Sequence, residues 1–183
     1  MRRVWLLGLR SRRWAMVLSF AAYQQTLDES LRVGQVISGD VHRYPGASLR
    51  VVVGERTDLA AADVGSRAAT EIASSLAAGC ADVGAAISAE PWAERLATIV
   101  TATVTIDEHG HWVLADEHGT LPIAASERDV TAAIATVLAA GGGRPVAMTV
   151  EWTAEGYVPL TVFADGRAYD VGPRADGDFV EAA

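Results

Sequence analysis

The sequence predicts an α+β fold with two antiparallel β lobes, one long Ala-rich helix and one or two shorter helices. Near the C-terminus, apolar and polar residues alternate from Val146 to Trp152, and two further runs follow Gly156 and Asp165–Gly166. A two-residue period with glycine-containing turns predicts a three-strand antiparallel meander. Between residues 63 and 88 the apolar side chains instead recur every three or four positions, which predicts a helix with one apolar stripe.

The chain has 183 residues, of which half are hydrophobic, so it can bury a sizeable core as one domain or two small lobes. We expect an N-terminal β lobe over residues 1–60 and a helical connector over residues 61–97. A C-terminal β-meander lobe with one helix is expected over residues 98–172, and a flexible acidic tail over residues 173–183.

Alternation and turn signals place the strands of the first lobe. These strands are predicted at Val4–Leu9, Trp14–Phe20, Gln35–His42 and Leu49–Val53. An arginine-rich turn separates the first two, and Pro45–Gly46 is a strong turn signal before the fourth. Arg12–Arg13 before an apolar run also resembles a twin-arginine export signal, but the alternation after Trp14 favours a strand and a cytoplasmic protein.

The predicted long helix begins at Asp63, which is a suitable N-cap. Gly79 and Gly84 disfavour a regular helix interior and indicate a break or close packing near them. A short helix is predicted from Pro91 to Ala97.

The second lobe combines further strands with one helix before the meander. Its first three strands are predicted at Ile99–Ile106, His111–Ala115 and Leu121–Ile123. Ser126 with Asp129 indicates a helix start, and Gly141–Gly143 ends that helix.

Charge and motif content narrow the range of functions. The net charge of −8 disfavours nucleic acid and anionic membranes, and no apolar run reaches the ~20 residues of a membrane-spanning helix. The single cysteine, Cys80, can form neither an internal disulfide nor a cysteine-rich zinc site. The chain has no GxSxG nucleophile elbow and no glycine-rich phosphate loop, so we assign no catalytic residue and no cofactor.

The sequence Asp-Glu-His-Gly occurs twice, at residues 107–110 and 116–119. Asp107, His109 and His111 are candidates for a divalent metal site, which would fit a small metal-dependent enzyme. The competing interpretation is that both copies are solvated hairpin turns at opposite ends of one strand, about 30 Å apart at ~3.3 Å per residue.

Two further groups of residues are candidates for binding. Three turn arginines between Trp5 and Trp14 form a basic, aromatic-flanked patch suited to a nucleic-acid backbone: Arg10, Arg12 and Arg13. The polar cluster before the Pro45–Gly46 turn consists of His42, Arg43 and Tyr44 and has either a ligand role or an ordinary place at a strand end. The five Trp residues are expected in the core, and an exposed subset would mark a partner surface.

Five collinear segments of the chain resemble one bacterial family. They are RWAMVLSFA (13–21), DVHRYPGASLRVVVGER (40–56), EPWAERL (90–96), HWVLADEHGTLPI (111–123) and the GGRPV…EW…Y.PLTVFADGR pattern (142–167). Together they are similar to the region after the finger in SWIM zinc-finger proteins of high-GC genomes. The family's CxCx(n)CxH finger needs three cysteines, and this chain has only Cys80, so the finger's zinc and nucleic-acid roles have no residues here.

The resemblance implies a non-catalytic binding or scaffold module that contacts a protein partner in a larger assembly, with a finger-bearing chain as one candidate partner. The alternatives are a nucleic-acid accessory module using the N-terminal arginines and the small metal-dependent enzyme around His109 and His111.

Overall fold

The computed structural model describes residues 1–20, 28–45, 49–59, 62–125 and 130–173. Within these ranges the chain forms ten strands and three helices, which confirms the predicted α+β class. The chain divides into two compact units. Among the described residues, the N-terminal unit comprises residues 1–20, 28–32, 37–45 and 49–59, and the C-terminal unit comprises residues 33–36, 62–125 and 130–173. The predicted helix start at Ser126 and Asp129 and nearly all of the acidic tail lie outside the described residues.

The N-terminal unit contains two pairs of strands. In the first pair, β1 (Arg2–Leu7) lies antiparallel to β2 (Trp14–Ser19). The second pair consists of β3 (Val36–Arg43) and β4 (Val51–Leu59). A parallel bridge between Met16 and Arg50 places the start of β2 beside the start of β4.

The C-terminal unit is built on a sheet in the order β10-β9-β8-β5-β6-β7, with antiparallel neighbours throughout. Its strands are β5 (Leu96–Ile106), β6 (Trp112–Asp116), β7 (Gly119–Pro122), β8 (Val146–Thr153), β9 (Gly156–Ala164) and β10 (Arg167–Asp170). Strands β8 to β10 form the predicted meander. Asp165 and Gly166 join β9 to β10 with φ values of 50° and 71°, the left-handed conformation that tight hairpin turns require.

The main core covers one face of this sheet. Met148 and Val150 of β8 lie there beside Val100 of β5, and all three are almost completely buried. Helices α2 (Leu76–Ala89) and α3 (Val130–Gly141) contribute side chains to the same cluster. The apolar half of the alternating pattern therefore identifies the face on which α2 and α3 pack.

The single helix predicted over residues 63–88 is two helices, α1 (Ala62–Ile72) and α2. Between them Ser74 pairs with the edge of β5, donating to the Ile99 carbonyl (3.2 Å) and accepting from the Thr101 amide (2.8 Å). Ser75 then caps α2 by accepting from the Ala78 amide (3.3 Å). The helix is interrupted at these serines because the Ser74 backbone pairs with β5 and the Ser75 hydroxyl caps α2. A continuous helix would allow neither interaction.

Gly79 allows α2 to lie directly on β5, as its sequence position suggested. A Cβ atom there would come within 2.6 Å of Val100 Cγ1. Gly84 has open space around it, so packing does not require glycine at that position.

Helix α1 lies on the opposite face of the sheet. It contacts β5, β8, β9 and β10, yet none of its described side chains joins the main core cluster. The buried Ser66 hydroxyl donates to the Arg167 carbonyl at 3.2 Å. The half of the β8 pattern predicted to be polar is consequently buried as well, at Thr149 and Glu151.

The short helix predicted from Pro91 to Ala97 is absent from this described segment. The chain turns at Pro91–Trp92 and enters β5 at Leu96, which pairs with Trp152. The proline was therefore a turn residue rather than the first residue of a helix. No helix of the described residues is long and apolar enough to cross a membrane.

Candidate functional sites

The β1–β2 turn displays the predicted basic patch. Arg10, Arg12 and Arg13 are exposed, and Arg12 has the left-handed φ of 54°. The Gly8 amide donates to the Arg13 carbonyl at 3.0 Å, and the Arg12 amide donates to the Gly8 carbonyl at 2.7 Å. These two hydrogen bonds close the turn and direct its arginines away from the strands.

The polar cluster at the end of β3 lies beside this turn. The Arg43 guanidinium donates to the Trp14 carbonyl at 3.1 Å, so the structure brings together two groups that the sequence separates by about thirty residues. The Tyr44 amide donates to the Arg50 carbonyl at 3.3 Å. His42 is placed differently, because its ring lies across the strand pair against Gly54, where an added Cβ would be 3.0 Å from Nε2.

We call this surface the basic end. It consists of Arg10, Arg12, Arg13, Arg43 and Arg50 together with Trp14 and Tyr44. Trp14 is half-buried and packs edge-to-face on Trp5, with ring centroids 6.2 Å apart and planes at 87°. Tyr44 is 53% exposed. The basic end therefore combines a packed indole ring at Trp14 and an exposed phenol ring at Tyr44 with exposed guanidinium groups.

Charge is distributed unevenly along the chain. Residues 1–59 contain nine arginines against five Asp and Glu, a formal charge of +4. Residues 60–173 contain five arginines against fifteen acidic residues, a formal charge of −10. Moreover, residues 1–27 and 41–54, which supply the whole basic end, contain no acidic residue. The overall charge of −8 thus conceals a positively charged region in the N-terminal unit.

A cavity of about 600 Å³ adjoins the basic end within the N-terminal unit. Tyr44, Arg50 and Arg56 line it together with one carboxylate, Asp28, and the apolar side chains of Val17, Leu31 and Val51–Val53. The Arg56 guanidinium donates to the Ser30 carbonyl at 3.0 Å. This volume lies within the range of small-molecule sites, about 300–1,000 Å³.

The first metal candidate is organised as a hairpin turn between β5 and β6. Asp107 Oδ1 accepts from the backbone amides of His109 (2.9 Å) and His111 (2.8 Å), and these bonds, the His111 one foremost, lower the carboxyl pKa. The two imidazoles stack with centroids 6.2 Å apart. Among the described residues, no group of three or more His, Cys, Asp or Glu side chains is arranged to hold a metal ion. The metal site at Asp107, His109 and His111 stays a prediction.

The second copy of the tetrad has an additional contact. Asp116 Oδ1 accepts from the amides of His118 (2.9 Å) and Gly119 (3.1 Å) within its own turn. Its other oxygen, Oδ2, accepts from the amide of Leu76 (2.8 Å) at the start of α2. This bond to Leu76 is the largest cause of the lowered pKa of Asp116. Asp116 therefore anchors α2 to the β6–β7 turn.

Two buried polar contacts were not anticipated. Glu151 on β8 is 1% exposed and accepts from the Arg95 guanidinium at 2.6 Å. The Cys80 thiol and the buried Tyr157 hydroxyl share a hydrogen bond of 3.3 Å, and burial, followed by this bond, raises the pKa of Tyr157. A glutamate in an alternating strand is an ordinary surface residue by pattern alone, and only the helix on that face buries it.

Trp92 is the most exposed large hydrophobic side chain among the described residues, at 90%. It lies in the short segment between α2 and β5. The outward faces of α2 and α3 are almost free of charge, because the 26 residues of these two helices include only one charged residue, Asp82. We call the outward faces of α2 and α3 the helical layer.

Comparison of the chain with protein-family models, with curated proteins and with solved structures gives no match.

Proposed function

We propose that this chain is a non-catalytic binding module that docks another protein through the helical layer and Trp92. In this proposal it corresponds to the region that follows the zinc finger in SWIM zinc-finger proteins, without the finger itself, and acts in a larger cytoplasmic assembly. A separate chain bearing the CxCx(n)CxH finger is one candidate partner.

The observation that carries the proposal is the lack of charge on the helical layer. Charged residues make up 21% of the chain but only one of the 26 residues in α2 and α3. Their exposed positions are Ala77, Ala78, Ala81, Asp82, Gly84, Ala85, Ser88 and Ala89 on α2 and Thr131, Ala132, Ala135 and Ala139 on α3. A helix that faces only water ordinarily places charged and polar residues on that side. Small apolar side chains there allow close approach by another surface.

Trp92 supplies an anchor beside this layer. The Glu90 amide donates to the Ala86 carbonyl (2.9 Å), and the Ala93 amide donates to the Glu90 carbonyl (3.0 Å). On the other side of Trp92, the Arg95–Glu151 ion pair attaches the segment to β8. The indole is therefore held on a fixed turn while remaining exposed. Tryptophan is enriched among the residues that dominate binding energy in protein interfaces, where its loss costs about 2 kcal/mol or more.

Charge favours a different protein over a second copy of this chain. Asp82 lies on the exposed side of α2, Glu90 and Glu94 lie on either side of Trp92 in the chain, and the C-terminal unit carries a large excess of acidic residues. Two such surfaces facing each other would bring like charges together at the rim. The partner that fits is apolar at the centre of its interface and basic around it.

The test compares Ala85→Arg and Trp92→Ala with Thr105→Arg, which adds the same charge at an exposed position on β5. A protein captured from an extract of the source cells by the wild type would be purified and titrated against each variant by calorimetry. We expect Ala85→Arg and Trp92→Ala each to weaken binding at least about tenfold, and Thr105→Arg to leave it unchanged. Equal binding by all four chains would overturn the proposal.

Sedimentation of the purified chain at increasing concentration tests whether the helical layer binds a second copy of this chain instead. We expect wild type and Ala85→Arg to sediment identically as monomers. A wild-type dimer that Ala85→Arg dissociates would show that the surface takes a second copy, and the proposal of a different protein would then be wrong.

A further inference from the structure

We infer that the basic end of the N-terminal unit binds single-stranded nucleic acid, with phosphates on the turn arginines and a base against Tyr44. This goes beyond the proposed protein contact and rests on different residues. The overall charge of the chain argues against such binding, but the local charge is what a polyanion meets within a Debye length of about 8 Å.

The arginines meet the first requirement, which is positive charge that is not neutralised locally. Arg10, Arg12 and Arg13 project from one closed turn, and Arg43 is fastened beside them through the Trp14 carbonyl. No ion pair to the three turn arginines is found within the described part of the chain, and the sequence segments that form the basic end contain no carboxylate side chain. Guanidinium groups bind phosphate oxygens through two parallel N–H donors, so several of them on one ridge can follow a phosphate backbone.

Tyr44 meets the second requirement, which is an exposed ring on which a base can stack. Its backbone amide is tied to the Arg50 carbonyl, while its side chain remains 53% exposed at the wall of the cavity. The valine-lined part of that cavity offers an apolar surface for the same base. Stacking of this kind tolerates any sequence and favours single strands, whose bases are accessible.

The geometry favours a single strand over a duplex. Tyr44 directly follows β3, which the Arg43–Trp14 hydrogen bond joins to the start of β2 beside the turn arginines, and β1 and β2 supply no helix for a major groove. A duplex would leave Tyr44 without a base to contact. Phosphate and base contacts at one end of the unit therefore point to a flexible, unpaired strand.

The experiment titrates the full chain into a fluorescein-labelled oligo(dT) 20-mer and follows anisotropy between 50 and 300 mM NaCl. The test variant is Arg12→Ala with Arg13→Ala. Its matched control is Arg144→Ala with Arg167→Ala, which removes two equally exposed arginines from the C-terminal unit. Arg12→Lys with Arg13→Lys retains the charge without the guanidinium groups.

We expect the wild-type affinity to fall steeply with salt, and the Arg12/Arg13 alanine variant to lower the slope of log K against log[NaCl] by about 1.4, that is ~0.7 for each phosphate contact. The lysine variant should retain most of the slope, and the Arg144/Arg167 control should retain all of it. The inference is wrong if the wild type does not bind at 50 mM NaCl or if the two alanine pairs behave alike.

Tyr44 distinguishes a nucleic acid from any other polyanion. Tyr44→Ala should weaken oligo(dT) binding about tenfold, whereas Tyr44→Phe should preserve it. Neither change should alter the binding of inorganic polyphosphate, which has no base. If Tyr44→Ala weakens the binding of both ligands equally, or of neither, the ring does not recognise a base, and the assignment to nucleic acid is wrong. Because Trp92 and Ala85 lie in the other unit, failure of the protein-docking proposal leaves this result interpretable.

Discussion

The two Asp-Glu-His-Gly turns at the ends of β6 have the same sequence but different roles. In the first, Asp107 uses one oxygen, Oδ1, for both backbone amides of its own turn. In the second, Asp116 uses Oδ1 for its own turn and Oδ2 for the Leu76 amide at the start of α2. One aspartate closes a hairpin, and the other also connects a hairpin to a helix.

The difference teaches that a repeated motif need not mark a repeated site. An aspartate before a tight turn accepts backbone amides a few residues ahead, here two to four, whatever surrounds it. A second function then depends on what lies opposite its remaining oxygen. For Asp116 that neighbour is a helix N-terminus, where unpaired amides and the helix dipole both favour a carboxylate.

Replacing each aspartate by asparagine should separate the two turns most strongly. Asparagine has a single acceptor oxygen, which suffices for Asp107 but cannot serve both partners of Asp116. We expect Asp116→Asn to lower the melting temperature by about 2–4 °C and Asp107→Asn to change it by less than half as much. Calorimetry on the two variants at pH 7 makes the comparison, and equal losses would mean that the α2 contact adds nothing.

Acid should remove the difference between wild type and Asp116→Asn. The folded-state pKa of Asp116 is lowered from 3.8, so its contribution is fully present above that value and is lost as the pH falls through the folded pKa. The melting temperatures of the two proteins, followed from pH 7 to pH 2.5, should therefore approach each other as the pH falls below 3.8. A gap that persists unchanged at pH 2.5 would show that charge on the carboxyl group is unimportant.

Removing the Leu76 amide should change the pKa of Asp116 without changing that of Asp107. Leu76 is the first residue of α2, where proline is tolerated, so Leu76→Pro removes the amide that Asp116 accepts. Leu76→Ala is the matched control, because it loses the same buried side chain but keeps the amide. By carbon-detected NMR titration, the Asp116 pKa should rise towards 3.8 in Leu76→Pro only.

Asp107 provides the internal reference for that titration. Its lowered pKa arises from the amides of His111 and His109, which neither Leu76 variant touches. The Asp107 pKa should therefore stay the same in all three proteins. A rise in both carboxyl groups would indicate general loosening of the C-terminal unit instead of the loss of one hydrogen bond.

These two turns also illustrate how far the sequence could predict the structure. Their place at opposite ends of one strand followed from turn chemistry and strand period, as did the meander of β8 to β10. The contact between Asp116 and Leu76 could not be predicted, because it depends on a helix break forty residues away. That break arises where Ser74 meets the edge of β5, and such long-range backbone pairing has no local signal.

The candidate sites were predictable to a similar extent. Composition identified the turn arginines and the cluster from His42 to Tyr44, but only folding places Arg43 against Trp14. Trp92 was expected on a short helix with its ring in the core, because apolar spacing alone does not distinguish a buried tryptophan from a displayed one. Glu151 shows the opposite error. The alternating pattern predicts an exposed polar side chain at this position, but α1 covers that face of the sheet and Glu151 is buried.

The histidines of the two turns should have the smallest effect on stability. The side chains of His109 and His118 are 68% and 62% exposed; each lies near its neighbouring glutamate, at 3.9 and 3.2 Å, and His109 also stacks on His111. We expect His109→Ala and His118→Ala each to change the melting temperature by no more than about 2 °C. Because no group of three or more His, Cys, Asp or Glu side chains in the described part of the chain is arranged to hold a metal ion, equimolar Zn²⁺ should leave the melting temperature of the wild type unchanged. A Zn²⁺-dependent rise in melting temperature that persists in His118→Ala but disappears in His109→Ala would instead establish a metal site at the first turn. The two turns would then differ in chemistry as well as in packing.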